Sequence, residues 1–467
     1  MAQLKDIEAF FATMDNQGGV IVKGKSVLEV HANTRLPVLV EDVQEAHADR
    51  PTRFDRLLLI GQCSVPLCID ALKAAHAEAK KGKDVGRYRE VWNFLRIAAP
   101  NEPEAQFDKA WVQKTEAANA AETKRLEREI KVYKNSLVKE SIRMGHEELG
   151  RHLESIGDLL GAVDAYNRMR PDVSTPKHIV DMGKHLVGVS MQRKEWAAAA
   201  AQLNKITGLQ GSEEEKLIQP YLRSMSGVAL LGQGRFAAAA KSFLDVDGSI
   251  SVSKITDGFL SANDVAVYGG LLALATMDRK ELQTKVLENT KFRVFLELEP
   301  HVRRAISQFV NGRYAACLGI LASYRPDYML DLFLQKHVDA IYAEIRNKCI
   351  INYLVPFSCV TLESMNAAFA APGESIEEEL ASMIRKGVVD ARLDSINKLV
   401  RTVKEKSRVK MHKQALESIA GMEKEAIDRL RRINIVAAEL EVRGARKGHN
   451  PIGDLGESWL EASPLVE

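Results

Sequence analysis

The stretch Gly234-Arg235-Phe236-Ala237-Ala238-Ala239 decides the fold of this chain. It consists of a short turn, an aromatic residue and then small residues, and four similar stretches occur elsewhere. They begin at Gly157, Lys194, Asp278 and Gly312, so the five starts are 37, 40, 44 and 34 residues apart. This spacing is typical of helix-turn-helix repeats, which must stack because one unit alone cannot bury its apolar face.

Within each repeat, the residue after the turn is predicted to fill the groove between the two helices, while the alanines let the backbones approach. The structural positions predicted in this way are Leu160, Trp196, Phe236 and Tyr314. Packing alone explains their spacing, so they require no ligand.

The apolar residues have a helical period almost everywhere in the chain, which predicts an all-α fold. The predicted architecture is a right-handed TPR-like helical-repeat solenoid, followed by a winged helix and a long C-terminal helix. The predicted segments are a partly irregular N-terminus 1–52, N-terminal helices 53–135, repeats 136–336, a winged helix 337–405, a bundle helix 406–443 and a disordered tail 444–467.

The winged helix is predicted from three helices followed by two short strands, residues 388–393 and 398–403. Gly387 stands where the end of the third helix needs a left-handed residue. The hairpin leaves an edge strand that could pair with another chain. The residues predicted to bind a partner at this edge are Val388, Val389, Arg392, Lys398 and Val400.

The C-terminal helix carries an apolar stripe in alternating steps of three and four residues. The positions predicted to bind a partner are Ile419, Met422, Leu430, Ile433 and Leu440. Such a stripe needs a surface to cover it. An intermolecular helical bundle is favoured, and packing on the chain's own winged helix is the alternative.

Composition places the chain among ordinary globular proteins. It has 467 residues, 46% of them hydrophobic and 27% charged, with a formal charge of +2, which excludes a strongly basic nucleic-acid coat and an acidic tail protein. Charged residues in the first turns predict no signal peptide, and the longest apolar stretch, 265–277, is too short to span a membrane. The five cysteines have no zinc-ligand spacing, so we expect an intracellular protein with reduced thiols.

The sequence predicts no catalytic, cofactor-binding or metal-binding residue, and no cofactor. His146-Glu147 begins like a zinc-binding helix, but Gly150 occupies the position of the second ligand, and His152 lies off the ligand face. The dinucleotide-binding pattern GxGxxG and the nucleophile elbow GxSxG do not occur.

A winged helix can bind nucleic acid through its third helix. Here the carboxylates of that helix, on Glu374, Glu377, Glu378 and Glu379, would repel phosphates. A basic run follows in residues 398–413, for which a solvated face, an acidic protein partner and a nucleic acid all stay open. A nucleic-acid-binding module is therefore a disfavoured alternative.

The order of repeats, winged helix and terminal helix resembles the PCI family, whose members are scaffold subunits of the proteasome lid, the COP-nine signalosome and translation initiation factor three. Three groups of segments are most similar to the signalosome branch. They are residues 133–146, residues 265–276 with 295–303, and residues 345–350 with 391–395.

The resemblance implies a non-catalytic subunit of an isopeptidase complex that removes a ubiquitin-like modifier from cullins and so regulates cullin-RING ubiquitin ligases. The catalytic zinc would belong to another subunit. Winged-helix edges would pair side by side in a ring, and terminal helices would gather in one bundle. Implied partners are the other signalosome subunits and cullin-RING ligase components, in the cytoplasm and nucleus. Scaffold subunits of the proteasome lid or of initiation factor three are alternatives.

Overall fold

The computed structural model describes residues 51–64, 67–207, 213–247, 258–370, 375–402 and 407–438. Most of the predicted N-terminal segment 1–52, the predicted tail 444–467 and the stripe residue Leu440 lie outside these ranges. In the described part, no helix is both long and apolar enough to cross a membrane.

Three helices open the described chain: α1 (Pro51–Cys63), α2 (Cys68–Lys81) and α3 (Val85–Ala98). A 3-10 turn, Pro103–Ala105, leads to the long helix α4 (Lys109–Ser136). The side chains of Asp84 and Asp108 cap α3 and α4 by accepting backbone N–H bonds. The apolar faces of the first three helices form one core, which also contains Leu330 from far along the chain.

Ten longer helices follow among the described residues of the repeat region. They are α5 (Lys139–Ser155), α6 (Leu159–Arg168), α7 (Pro176–Gln192), α8 (Trp196–Thr207), α9 (Glu213–Gly232), α10 (Phe236–Leu244), α11 (Ala262–Thr276), α12 (Thr290–Leu298), α13 (Pro300–Val310) and α14 (Tyr314–Met329). Helices joined by a short turn pack together, and each pair from α5 to α11 also packs on the next one. This arrangement confirms the predicted stack of helical repeats.

Four of the five predicted turns share one backbone geometry. The left-handed residue is Gly157, Lys194, Gly234 or Gly312. In each turn the next N–H donates to the carbonyl five residues earlier, at 2.8 to 3.0 Å, which is the Schellman ending of a helix. The turn at Asp278 differs, because its φ is −70° and it begins a short helical turn, Arg279–Glu281, that continues as a π-helix, Leu282–Leu287.

The predicted repeat position Leu160 is wrong by one residue. Leu159 stands two residues after the left-handed turn residue, as Trp196, Phe236 and Tyr314 do. Helix α6 begins at Leu159, so Leu160 points to solvent and is 65% exposed. Tyr314 is buried, whereas Trp196 and Phe236 are half-buried.

The residues that fill the space between repeat helices lie deeper in each second helix. Nine residues after the left-handed residue, each second helix has a side chain that is at most 1% exposed: Tyr166, Leu203, Phe243 and Leu321. The paired first helix makes room for the two largest of these with a glycine. A Cβ on Gly150 would lie 2.4 Å from the Tyr166 ring, and a Cβ on Gly227 would lie 2.6 Å from the Phe243 ring. Close helix contact therefore depends on these glycines as well as on the predicted alanines.

The winged helix comprises α15 (Val338–Leu354), β1 (Cys359–Thr361), α16 (Leu362–Phe369), α17 (Glu377–Arg385), β2 (Ala391–Asp394) and β3 (Leu399–Thr402). The strands are hydrogen-bonded in the order β1-β3-β2. Gly387 has φ +69°, and the N–H of the next residue, Val388, donates to the Met383 carbonyl at 3.0 Å. This geometry confirms the predicted role of Gly387 at the end of α17.

The described residues form two compact units. The first contains the residues up to Val389 together with Leu393–Val400, and the second contains Asp390–Arg392 and the residues from Arg401 onward. The second unit consists mainly of the last helix, α18 (Ser407–Ala437).

Candidate interaction surfaces

Helix α18 presents an exposed apolar stripe. The side chains of Ile419, Met422, Leu430 and Ile433 are 58% to 71% exposed. A surface helix normally turns such a stripe toward a core, because each buried apolar side chain contributes about 1.5–3 kcal/mol. Within the described residues, these four side chains of the stripe stay exposed.

The strand edge consists of β2, which has a neighbour on one side only within the described sheet. Arg392 lies on β2 with an exposed side chain, and Val388, just before it, is 42% exposed. Lys398 is exposed and adopts a left-handed conformation with φ +52°, and its ammonium lies 3.2 Å from the Glu377 carboxylate. These three residues are accessible to a partner.

Val389 and Val400 are not part of that edge. They are 7% and 0% exposed, and Val400 lies on β3, the central strand of the sheet. In the predicted two-stranded hairpin β3 was an edge strand, but in the structure the additional strand β1 pairs with its other side. The signal for β1 was the β-branched pair Val360-Thr361 between two helices.

Two carboxylates of α17 are held in ion pairs within the fold. Glu379 binds the Arg346 guanidinium at 2.7 Å, and Glu377 binds Lys398. Glu374 lies outside the described residues. This acidic helix face therefore stabilises the winged helix.

A buried ionic cluster joins α1 to the repeats. It comprises Arg56, Asp264, Tyr268 and Asp331, none more than 4% exposed. Arg56 donates to Asp264 at 2.9 Å and lies 3.6 Å from Asp331, and the Tyr268 hydroxyl donates to Asp331 at 2.8 Å. We call this group the Arg56 cluster.

Electrostatic interactions keep the Arg56 guanidinium charged in the cluster. Burial alone would lower the pKa of Arg56, but the negative charges of Asp264 and Asp331 hold it above its ordinary value. Burial and the same carboxylates raise the pKa of Tyr268 well above its ordinary value, so its hydroxyl stays protonated and donates. Little in the sequence indicates this cluster, because the local signal is only the Ser261-x-x-Asp264 capping box at the start of α11.

The segment Leu330–His337 runs from the Arg56 cluster along the repeats. Its Phe333 ring lies 6.2 Å from Trp196 and 6.4 Å from Tyr268, measured between ring centroids. The His337 ring lies 5.7 Å from Phe236. Trp196 and Phe236 therefore pack on this segment, a contact that the repeat pattern alone did not predict.

Among the described residues, no three His, Cys, Asp or Glu side chains are placed to hold a metal ion. His146 is buried, and its burial lowers the pKa of the imidazole. A cavity of about 300 Å³, lined by Arg223, Asp245 and Lys291 among others, brings an ion pair and a lysine together.

Two family models match the chain, one mainly over the repeats and one over the winged helix. Residues 108–285 match the family described as 26S proteasome subunit RPN7, and residues 321–404 match the PCI domain. The chain is 48% identical to COP9 signalosome complex subunit 1 of Neurospora crassa, over 94% of each protein. The chain belongs to the COP9 signalosome subunit 1 family.

Other members of the signalosome subunit 1 family are also similar to the chain. The Emericella nidulans protein is 44% identical over 86% of both chains, and the Arabidopsis thaliana protein is 35% identical over 85% of this chain and 89% of its own length. Membership in this family is consistent with a scaffold subunit. It does not favour the proteasome-lid, initiation-factor or nucleic-acid alternatives.

Proposed function

We propose that the chain is a non-catalytic scaffold subunit of the COP9 signalosome, whose other subunits are its partners. The observation that carries this proposal is the stripe of α18, which holds apolar side chains 58% to 71% in solvent. Obligate assemblies bury large apolar surfaces, on the order of 2,000 Å² or more. Sister subunits with similar helices would cover this stripe in a common bundle.

The sheet supplies a second contact in this proposal. Strand β2 lies at an edge of the described sheet, and the side chains of Val388 and Arg392 are accessible there. A strand of a neighbouring winged helix would extend the sheet there through main-chain hydrogen bonds. The two contacts together would fix the position of the subunit in a ring.

The assembled complex would remove a ubiquitin-like modifier from cullins and regulate cullin-RING ligases. In this proposal the isopeptidase centre belongs to another subunit, and this chain contributes position rather than chemistry. Its repeats would face neighbouring subunits or cullin-RING ligase components. We expect the protein in both cytoplasm and nucleus.

The stripe can be tested by co-expression of the full chain with its sister subunits. The double variant Ile419→Asp and Leu430→Asp should no longer enter the complex, because two charges in a bundle core remain unpaired. The matched control, Lys424→Asp with Arg431→Asp, changes the opposite face of the same helix and should enter normally. Native mass spectrometry of the complex measures both. Normal incorporation of the stripe variant would contradict the bundle.

A further inference from the structure

Five cationic side chains lie at or beside the helix-helix turns in the second half of the repeats. We call them the turn cations: Arg235, Arg279, Lys280, Arg313 and Lys336. Arg235 and Arg313 each follow the left-handed glycine of a turn, and Arg279 and Lys280 follow the end of α11. All five are exposed.

The turn cations belong to neighbouring turns. Helix α10, which follows Arg235, packs on α11, which precedes Arg279, and α11 in turn packs on α13, which precedes Arg313. Burial raises the pKa of Tyr314, the residue after Arg313, and the positive charge of Arg279 opposes that rise, as expected of near neighbours. Lys336 precedes His337, whose ring contacts Phe236. The five charges therefore form a row along one rim of the stack.

No ion pair within the described residues neutralises a turn cation. Other cations close to the same turns do have partners, since Arg193 binds Glu195 at 2.7 Å and Lys285 binds Glu281 at 2.6 Å. Two carboxylates lie within the row: Asp278, whose side chain accepts a backbone N–H in the capping box of the following turn, and Glu281, which binds Lys285. The rim thus keeps an excess of positive charge on a protein whose formal charge is only +2.

We propose that the turn cations bind an acidic peptide segment of a partner protein in an extended conformation. Packed helices lie about 10 Å apart, so successive turns should follow at about that interval. Three residues of an extended chain span about 10 Å. A segment with Asp or Glu at about every third residue would place a carboxylate opposite each turn.

A nucleic acid fits this rim less well. Proteins that bind single strands combine cations with aromatic faces on which bases stack. Here the aromatic rings beside the turns already pack on other rings. Phe236 contacts His337 edge to face, and the ring centroids of Tyr314 and Phe309 lie 5.4 Å apart. Tyr314 is also only 9% exposed.

Fluorescence anisotropy of the full chain tests the proposal. The probe is a labelled peptide of about 15 residues with Glu at every third position and Ser elsewhere, in about 50 mM and about 200 mM NaCl. Replacing all five turn cations by Gln should weaken binding at least about tenfold at the lower salt. The control replaces five exposed cations of α4 by Gln, namely Lys109, Lys114, Lys124, Arg128 and Lys131, and should change binding less than about twofold.

Three results would overturn the proposal. The first is equal weakening by both sets of substitutions, and the second is a peptide that does not bind the unmodified chain at all. The third is a labelled oligothymidine that binds as tightly as the peptide and loses binding with the same substitutions. If the variant with five substitutions lacks the helical circular dichroism of the parent, the double variant Arg235→Gln with Arg313→Gln is measured instead. Unchanged peptide binding by this double variant would also refute the proposal.

Discussion

Oδ2 of Asp264 lies 2.9 Å from the guanidinium of Arg56, although 208 residues of chain separate them. The pair fastens α1 to α11, and Asp331 joins it from the segment that runs along the repeats. A repeat stack normally has contacts between neighbouring units only. The Arg56 cluster gives this one a link between distant parts.

Replacing Arg56 by Leu should lower the free energy of unfolding by about 3–5 kcal/mol, because Asp264 and Asp331 would remain buried without their cation. Urea denaturation followed by circular dichroism measures the change. The matched control is Arg89→Leu, which breaks an exposed pair with Glu116 and should cost less than about 1 kcal/mol. Equal small losses in the two variants would show that the cluster contributes little.

The buried repeat positions should differ in energy from the turn positions. Phe243→Ala empties a site that is fully enclosed and should cost about 3–5 kcal/mol. Phe236→Ala removes a half-buried ring and should cost only about 1–2 kcal/mol. Thermal or urea denaturation of the two variants gives the comparison, and a larger loss at Phe236 would mean that the turn aromatic is the main packing residue.

Glycine should be required where a ring approaches the helix backbone. Gly150→Ala places a methyl group 2.4 Å from the Tyr166 ring and should destabilise the fold by about 1–3 kcal/mol through strain. Gly319→Ala is the control, since nothing lies within 4 Å of its Cβ in α14, and it should stabilise by up to about 1 kcal/mol. The denaturation midpoint should fall for Gly150→Ala and rise for Gly319→Ala. Two shifts in the same direction would contradict this interpretation.

Stability should fall as the pH drops below about 6.5. Burial lowers the pKa of four histidines: His76, His146, His185 and His337. The unfolded chain takes up their protons at a higher pH than the native chain does, so protonation favours unfolding by up to about 1.4 kcal/mol per histidine and pH unit.

Urea denaturation between pH 7.5 and 5.5 measures this dependence on pH. His185→Gln should have a shallower slope than the parent chain, because one of the four groups no longer titrates. A stability that stays level or rises on acidification would rule out the effect of these histidines.

The sequence predicted the features that depend on neighbouring residues. Turn glycines and small residues marked the repeats, and Gly387 marked the end of α17, because backbone conformation there is decided within a few residues. Leu160 was misassigned because two leucines follow one another and only the start of α6, set by the Asp158 cap, distinguishes them. Val400 was misassigned because strand order is a property of the whole sheet.

Contacts between distant residues could not be predicted. Nothing close to Arg56 in the sequence indicates that Asp264 will neutralise it, and Phe333 lies in a segment without a helical or strand period. The partner-binding roles of Ile419, Met422, Leu430 and Ile433 stay predictions, supported by their exposure. Ion pairs and ring contacts between distant residues depend on how the repeats stack, which the local sequence does not indicate.

The link between Arg56 and Asp264 also matters while the protein is being made. A ribosome adds roughly 5–20 residues per second, so Arg56 leaves it about 10–40 s before the carboxylate 208 residues later has been synthesised. During that time the first three helices of the nascent polypeptide lack their counter-ion. The Arg56 cluster can therefore form only after α11 has been translated.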